Sequence, residues 1–133
     1  MLFPNLPVSD LERCTAFWTA LGFSFNAQFT NEHAACLVIN DQASVMLLRE
    51  SFWSTFTTKP LPDRRATTGL FLAFSCESRD EVTRLVECAF ANGGTPASPP
   101  QDHGFMLGWS FLDPEGHHWE AFWMDPAHVQ PTS

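Results

Sequence analysis

Basic residues are scarce in this sequence. It contains seven Lys and Arg residues against fifteen Asp and Glu residues, which gives a formal net charge of −8 at pH 7. Nucleic acids and anionic membrane surfaces both attract basic patches. We therefore expect neither a nucleic acid nor a membrane among the partners, and we interpret the acidic residues as a solvated surface.

Tyrosine is absent, although the chain has thirteen Phe and five Trp residues. Large rings without a phenolic hydroxyl suit a dry core or a flat apolar pocket. A chain of 133 residues is long enough for one compact domain with a substantial core. We expect most of the rings to pack in that core and a few to line a cavity.

Paired cysteines and targeting segments are also missing. The four cysteines (Cys14, Cys36, Cys76 and Cys88) form no C-x-x-C motif and lie in apolar or helical contexts. This pattern favours buried free thiols in a reducing compartment. The N-terminus shows no basic segment followed by an apolar one, and no apolar stretch is long enough to span a bilayer. The sequence thus predicts a soluble cytoplasmic protein.

What the sequence does contain is one pattern written twice. Residues 2–8 read as a strand, and SDLE at 9–12 is a capping box that opens a helix. Residues 69–76 read as a second strand, and SRDE at 78–81 is a second capping box. Glycine ends each helix, at Gly22 and in the later Asn-Gly-Gly.

Three short strand candidates follow each helix. They are residues 23–29, 33–39 and 44–49 in the first half, and residues 96–102, 105–112 and 117–123 in the second half. A tight polar turn joins the last two candidates of each half, NDQA in one and DPEG in the other. Each half is therefore predicted to be a β-α-β-β-β unit.

The sequence predicts an α+β fold of two tandem βαβββ modules whose curved mixed sheets surround a cavity. We expect a single domain over residues 1–126, followed by a tail at 127–133. Module one takes residues 1–58, a proline-bearing linker takes 59–68, and module two takes 69–126. Within module one, ESFWSTF is a candidate short amphipathic helix.

The chain resembles the vicinal-oxygen-chelate superfamily, which holds glyoxalase I, bleomycin-resistance proteins and extradiol dioxygenases. The resemblance rests on the doubled unit with NLPVSDLERCTAFWTALGF near its start and DPEGHHWEAFW near its end. It covers residues 2–126, and its second half is similar to a branch described as predicted lactoylglutathione-lyase-like. The resemblance implies a small-molecule ligand and a homodimer, with the cavity closed within one chain or across two.

Metal-dependent members of that superfamily carry a His or carboxylate ligand on the first and last strand of each module. Carried onto this chain, the four positions fall at Phe3, Leu47, Phe71 and Glu120. Phe and Leu side chains cannot ligate a metal, and a slip of one residue would also offer only Pro, Met and Leu. We therefore expect no cofactor and no standard metal site.

Glu120 is the one retained member of the ligand pattern. Strand alternation places His118 on the same face as Glu120 and turns His117 away. His103, just before a strand, is the second candidate catalytic residue after Glu120. A less favoured alternative is a non-standard divalent metal site made of Glu120, His118 and His103.

Two functions follow from these residues. In the first, an apolar cavity binds a small apolar or aromatic molecule without a metal. Its predicted lining is Phe3, Asn5, Leu47, Phe71, Trp109 and His118. In the second, a lyase or isomerase of the glyoxalase type uses Glu120 to shuttle a proton at a carbon next to a carbonyl. An extradiol dioxygenase is disfavoured, because it needs a redox iron held by two His and one Glu.

Overall fold

Two compact units make up the chain, and the boundary between them lies between Thr67 and Thr68. The computed structural model describes residues 1–128. Each unit has one sheet that mixes parallel and antiparallel strand pairs. The predicted α+β fold, with its doubled β-α-β-β-β order, is confirmed. Among the described residues, no helix has the length and apolar character needed to cross a membrane.

The first unit is built on a four-stranded sheet of order β1-β4-β3-β2. Its elements are β1 (Asn5–Val8), α1 (Leu11–Ala20), β2 (Ser24–Phe25), a 3-10 turn (Ala27–Phe29), β3 (Ala34–Asn40), β4 (Ala43–Arg49) and α2 (Glu50–Trp53). The pair β1–β4 is parallel, and the other pairs are antiparallel. The sheet is therefore mixed, with its parallel pair at one edge.

The second unit repeats this plan in the order β5-β9-β8-β6, with β7 also paired to β8. Its elements are β5 (Phe71–Ser75), α3 (Arg79–Ala91), β6 (Thr95–Pro96), β7 (Gln101–Asp102), β8 (Met106–Leu112), β9 (His118–Met124) and a 3-10 turn (Pro126–His128). The predicted strand at 96–102 is split into β6 and β7. Proline at 99 and 100 explains the interruption, because proline has no amide hydrogen to donate to a neighbouring strand.

The start of α1 differs from the prediction by one residue. Asp10, rather than Ser9, caps the helix, because its side chain accepts a hydrogen bond of 3.0 Å from the Arg13 amide. Asp and Ser cap helices about equally well. The side-chain types therefore do not determine which of the two adjacent residues is the cap, and the backbone conformation decides it. The helix ends as predicted, before Gly22 at φ +98°.

The start of α3 is the predicted one. Ser78 accepts a hydrogen bond of 3.1 Å from the Glu81 amide. The Glu81 carboxylate closes the cap one residue earlier than in a standard capping box, because it accepts from the Glu77 amide at 2.8 Å. Asn92 then caps the end of the helix, and Gly93 follows at φ +101°.

Aromatic rings contribute to the core of each unit, but five of the eighteen Phe and Trp side chains are buried, which is fewer than the majority that the sequence predicts. In the first unit, Trp18 meets Phe17 and Phe23 edge to face at 5.2 and 5.4 Å. In the second unit, Trp119 meets Phe74 at 6.4 Å, and both are buried. None of the four cysteines forms a disulfide in the structure, and Cys14 and Cys36 are buried.

Candidate functional site

The first unit carries an apolar groove of about 370 Å³. Its lining comprises Asn5, Leu48, Trp53, Phe56 and Thr57. Three large apolar side chains thus surround two small polar groups. This composition is typical of small-molecule sites, where apolar walls provide contact area and a few polar atoms fix the orientation of the ligand.

The strand register places the sheet residues of this groove. In the parallel β1–β4 pair, Asn5 lies level with Met46 and Pro7 lies level with Leu48. Side chains at the same level on neighbouring strands share a face, and alternate residues on one strand share it too. Asn5 and Leu48 are therefore on one face of the sheet.

Leu47 is on the other face of this sheet. It lies level with Leu6 and Ala35, and only 1% of its surface is exposed. The sequence predicts Leu47 in the cavity lining. In the structure, the register of β1 and β4 places Leu48 in the groove instead. The shift changes no ligand chemistry, since neither side chain can bind a metal.

The polar atoms of the groove offer hydrogen-bond acceptors. The Asn5 amide nitrogen donates to the Phe3 carbonyl at 2.8 Å, which leaves the Asn5 amide oxygen as an acceptor. The Thr57 hydroxyl oxygen accepts from the Lys59 amide at 3.2 Å. Phe3 itself precedes β1 and is half exposed.

An aromatic ladder extends along α2 beside this groove. The ring of Phe52 stacks on His33 at 5.6 Å and meets Phe56 edge to face at 5.1 Å. The sequence predicts a short helix over residues 50–56 and does not include these residues in the site. The signal was the aromatic spacing in ESFWSTF, where rings at 52, 53 and 56 fall within one helical turn.

The second unit presents a contrasting surface, which we call the Glu120 face. It consists of the alternate residues Phe71, Ala73, Ser110, His118, Glu120 and Phe122, together with Gly108. Ala73 and Ser110 lie level with Glu120 on either side of it, and Phe71 lies level with His118. The structure thus brings together three predicted site residues: Phe71, His118 and Glu120.

Glu120 has a distinctive position on this face. The residue is half buried, and no hydrogen bond or ion pair joins its carboxylate to another of residues 1–128. A Cβ placed on Gly108 would lie 3.5 Å from its carboxylate carbon, so the side chain lies directly beside the glycine. The rings of Phe71 and His118 pack against each other nearby, with centroids 5.0 Å apart.

Trp109 does not belong to the Glu120 face, which corrects its predicted place in the cavity lining. It lies level with Ala121 and packs edge to face on Phe90 of α3 at 5.7 Å. The physical reason is strand alternation, because Trp109 is one residue away from the face-lining Gly108 and Ser110.

His103 lies at the far end of β8 from Glu120. Its amide donates to the Met106 carbonyl at 2.8 Å, and its ring lies 6.3 Å from the Phe105 ring. Glu120 is level with Ser110, four residues further along β8 from Met106. At about 3.3 Å per strand residue, four residues correspond to roughly 13 Å. The structure does not bring His103 to Glu120.

Asp102 and Arg79 tie α3 to β7. The two terminal guanidinium nitrogens of Arg79 donate to the two carboxylate oxygens of Asp102, Nη1 to Oδ1 at 3.0 Å and Nη2 to Oδ2. This hydrogen-bonded pairing holds the pKa of Asp102 at about 2, below its ordinary value. Arg79 also lies over the Trp123 ring, 5.6 Å from its centroid. No local pattern in the sequence indicates this contact, because the two partners are 23 residues apart.

Asp113 organises the turn that leads into β9. One of its carboxylate oxygens accepts from the amides of Glu115 and His117, and the other accepts from the Trp119 indole at 2.9 Å. The residue is buried, and this burial raises the pKa of Asp113. The bonds fix the start of the strand that carries His118 and Glu120.

The donor set does not fit the metal centre of the metal-dependent relatives. Such a centre needs several His or carboxylate ligands. The rings of Phe3 and Phe71 and the side chain of Leu48 have no atom that binds a metal ion. Within residues 1–128, no group of three or more His, Cys, Asp or Glu side chains is arranged to hold a metal ion. The described residues therefore do not assemble Glu120, His118 and His103 into one site.

Comparison with solved structures supports the fold. A hypothetical protein of S. aureus is 26% identical, with a TM-score of 0.78 over 92% of this chain and 91% of that chain. A bleomycin resistance determinant encoded on the transposon Tn5 is 17% identical, with a TM-score of 0.64 over 94% of this chain and 98% of that chain. A fosfomycin resistance protein from Listeria monocytogenes is 19% identical, with a TM-score of 0.67 over 99% and 94%.

Comparison of sequences assigns the family. No curated protein matches the chain. The sequence pattern of the Glyoxalase/Bleomycin resistance protein/Dioxygenase superfamily matches residues 2–121, nearly the whole length of both units. The match agrees with the doubled β-α-β-β-β order and with the solved structures above. The chain belongs to the Glyoxalase/Bleomycin resistance protein/Dioxygenase superfamily.

Proposed function

We propose that this protein binds a small apolar or aromatic molecule without the metal centre of its metal-dependent relatives. The groove of the first unit carries the proposal. Trp53, Phe56 and Leu48 give it apolar walls, and its volume of about 370 Å³ suits a molecule of one or two rings. The Asn5 amide oxygen supplies an acceptor that orients the ligand.

A thermal-shift screen with a panel of aromatic metabolites and antibiotics tests this function. A molecule that binds only the folded protein raises the melting temperature, by an amount set by its concentration relative to Kd. We expect at least one aromatic compound to raise it. The Trp53→Ala variant should lose the effect, because Trp53 is a wall of the groove.

Phe29→Ala is the matched control for the groove variant. Phe29 is 53% exposed in the 3-10 turn and is not part of the groove lining, so its removal should leave the shift unchanged. Metal analysis of the purified protein provides a second check. Stoichiometric metal lost on Glu120→Gln substitution, or a Trp53→Ala variant that binds like the wild type, would refute the proposal.

A second candidate function is a lyase or isomerase in which Glu120 moves a proton. Its half-buried carboxylate forms no hydrogen bond or ion pair within residues 1–128, so both oxygens can contact a substrate, which favours this role. Glu120 would take a proton from a carbon next to a carbonyl and return it to the adjacent carbon. Turnover of a converted substrate should then disappear in Glu120→Gln, and turnover that survives this change would exclude the mechanism.

A further inference from the structure

The Glu120 face carries a negatively charged side chain, and its central strands, β5, β8 and β9, contribute no Lys or Arg. His118 is therefore the basic side chain that these strands place on the same face as Glu120. Three of the seven basic residues are engaged elsewhere: Arg49 with Glu12, Arg64 with Glu50, and Arg79 with Asp102. A ligand that reaches this face therefore meets a carboxylate that forms no ion pair within residues 1–128.

The surroundings of the carboxylate are flat and apolar. Phe71 is 55% exposed, and its ring packs against His118, so together they form an accessible aromatic surface on this face. Ala73 and Gly108 add no bulk beside Glu120, and the Ser110 hydroxyl oxygen accepts from the Ser98 amide at 3.1 Å. The face thus combines one anionic group with an aromatic contact surface and open space between them.

We propose that the Glu120 face selects a ligand that carries a protonated amine on an aromatic or apolar body. The ammonium group pairs with the Glu120 carboxylate, and the body of the ligand packs on Phe71 and His118. Charge-assisted hydrogen bonds are about twice as strong as neutral ones, and a partly desolvated carboxylate strengthens them further. An aromatic ring beside an ammonium adds a cation–π contribution.

This inference goes beyond the proposed function, because the Glu120 face lies in the second unit and the groove of the proposed function lies in the first. An anionic ligand would be repelled by Glu120 and by the net charge of −8. A neutral ligand would keep the apolar contacts but gain no charge pairing. The two proposals therefore make separate predictions for ligands of equal shape and different charge.

Calorimetric titration with three matched probes tests the inference. The probes are naphthylmethylamine, naphthylmethanol and naphthylacetate, which share a ring system and differ in charge. We expect the amine to bind about tenfold more tightly than the alcohol, corresponding to about 1.4 kcal/mol. The carboxylate should bind most weakly, and added salt should reduce the preference for the amine.

Glu120→Gln is the decisive variant, because it keeps the size of the side chain and removes its charge. Affinity for the amine should fall to that of the alcohol, while affinity for the alcohol stays the same. Glu87→Gln makes the same charge change at an exposed position of α3 and should leave both affinities unchanged. Melting temperatures of the two variants confirm that each is folded.

The outcomes separate the inference from the proposed function. If amine and alcohol bind equally, or if Glu120→Gln leaves the preference for the amine intact, the inference is wrong and binding of aromatic molecules stands. If none of the three probes binds the wild-type protein, both proposals fail for ligands of this size. If the Glu120→Gln variant loses the preference for the amine but keeps its affinity for the alcohol, the inference is supported, and loss of alcohol binding in Trp53→Ala supports the proposed function.

Discussion

Asp113 is the single side chain on which the entry into β9 depends most. It is 5% exposed and accepts three hydrogen bonds, from two amides and the Trp119 indole. Asp113→Ala would leave these buried donors without partners, because the methyl group accepts nothing. We expect the free energy of unfolding to fall by about 2–4 kcal/mol in a urea titration.

Asn40→Ala in the equivalent turn of the first unit is the control for Asp113. Asn40 is exposed, and its side chain accepts one hydrogen bond, from the Gln42 amide at 2.8 Å. Its removal should cost about 0.5 kcal/mol, the lower end of what one hydrogen bond contributes. Equal losses for the two alanine variants would mean that burial of Asp113 has no energetic consequence.

At the scale of elements, the cap of α3 is a separable contribution to stability. Ser78→Ala removes the acceptor of the Glu81 amide, and we expect it to lower the free energy of unfolding by about 1 kcal/mol. Ser78→Thr keeps a hydroxyl oxygen at the same position and should retain most of that stability. Denaturant titration of the two variants measures the difference, and a threonine variant as unstable as alanine would argue against the cap.

The ion pair between Arg79 of α3 and Asp102 of β7 makes the stability of the fold depend on pH at acidic values. The Arg79 hydrogen bonds lower the pKa of Asp102 from 3.8 to about 2, so the fold stabilises the ionised carboxylate. A lowered carboxyl pKa contributes stability above pH 3.8, and this contribution is lost as the pH falls towards 2. Between those values, the melting temperature of the wild type should fall more steeply than that of Asp102→Asn.

Asp41→Asn, in an exposed turn, is the control for this acid dependence. It should follow the wild-type curve between pH 4 and pH 2, since no ion pair of Asp41 is present in the described residues. Parallel curves for wild type and Asp102→Asn would show that the pair with Arg79 contributes nothing.

The elements were predictable where their signals are local. Glycine after a helix, a capping serine and a polar turn between alternating segments act within a few residues, and they located α1, α3 and the hairpins. The face on which a strand residue lies depends on its pairing partner, and one residue of register exchanges the two faces. For this reason the sequence alone does not separate Leu47 from Leu48 or Trp109 from Ser110, whereas Phe71, His118 and Glu120 share one face by their alternation and pairing.

At the scale of the whole molecule, several large apolar side chains remain exposed. Phe56 is 69% exposed, Leu70 57% and Phe71 55%. Apolar surface of this kind marks interaction sites in soluble proteins. The family resemblance also implies a homodimer, and we therefore propose that the chain forms one.

Light scattering coupled to size exclusion measures this assembly. The expected mass is twice the 14.9 kDa of one chain, and the melting temperature should rise with protein concentration, because association stabilises the folded state by mass action. Each chain carries a formal charge of −8, so two chains repel one another, and salt should shift the equilibrium towards the dimer by screening that repulsion. A mass of one chain at every concentration and salt level would instead mean that the exposed rings serve ligands alone.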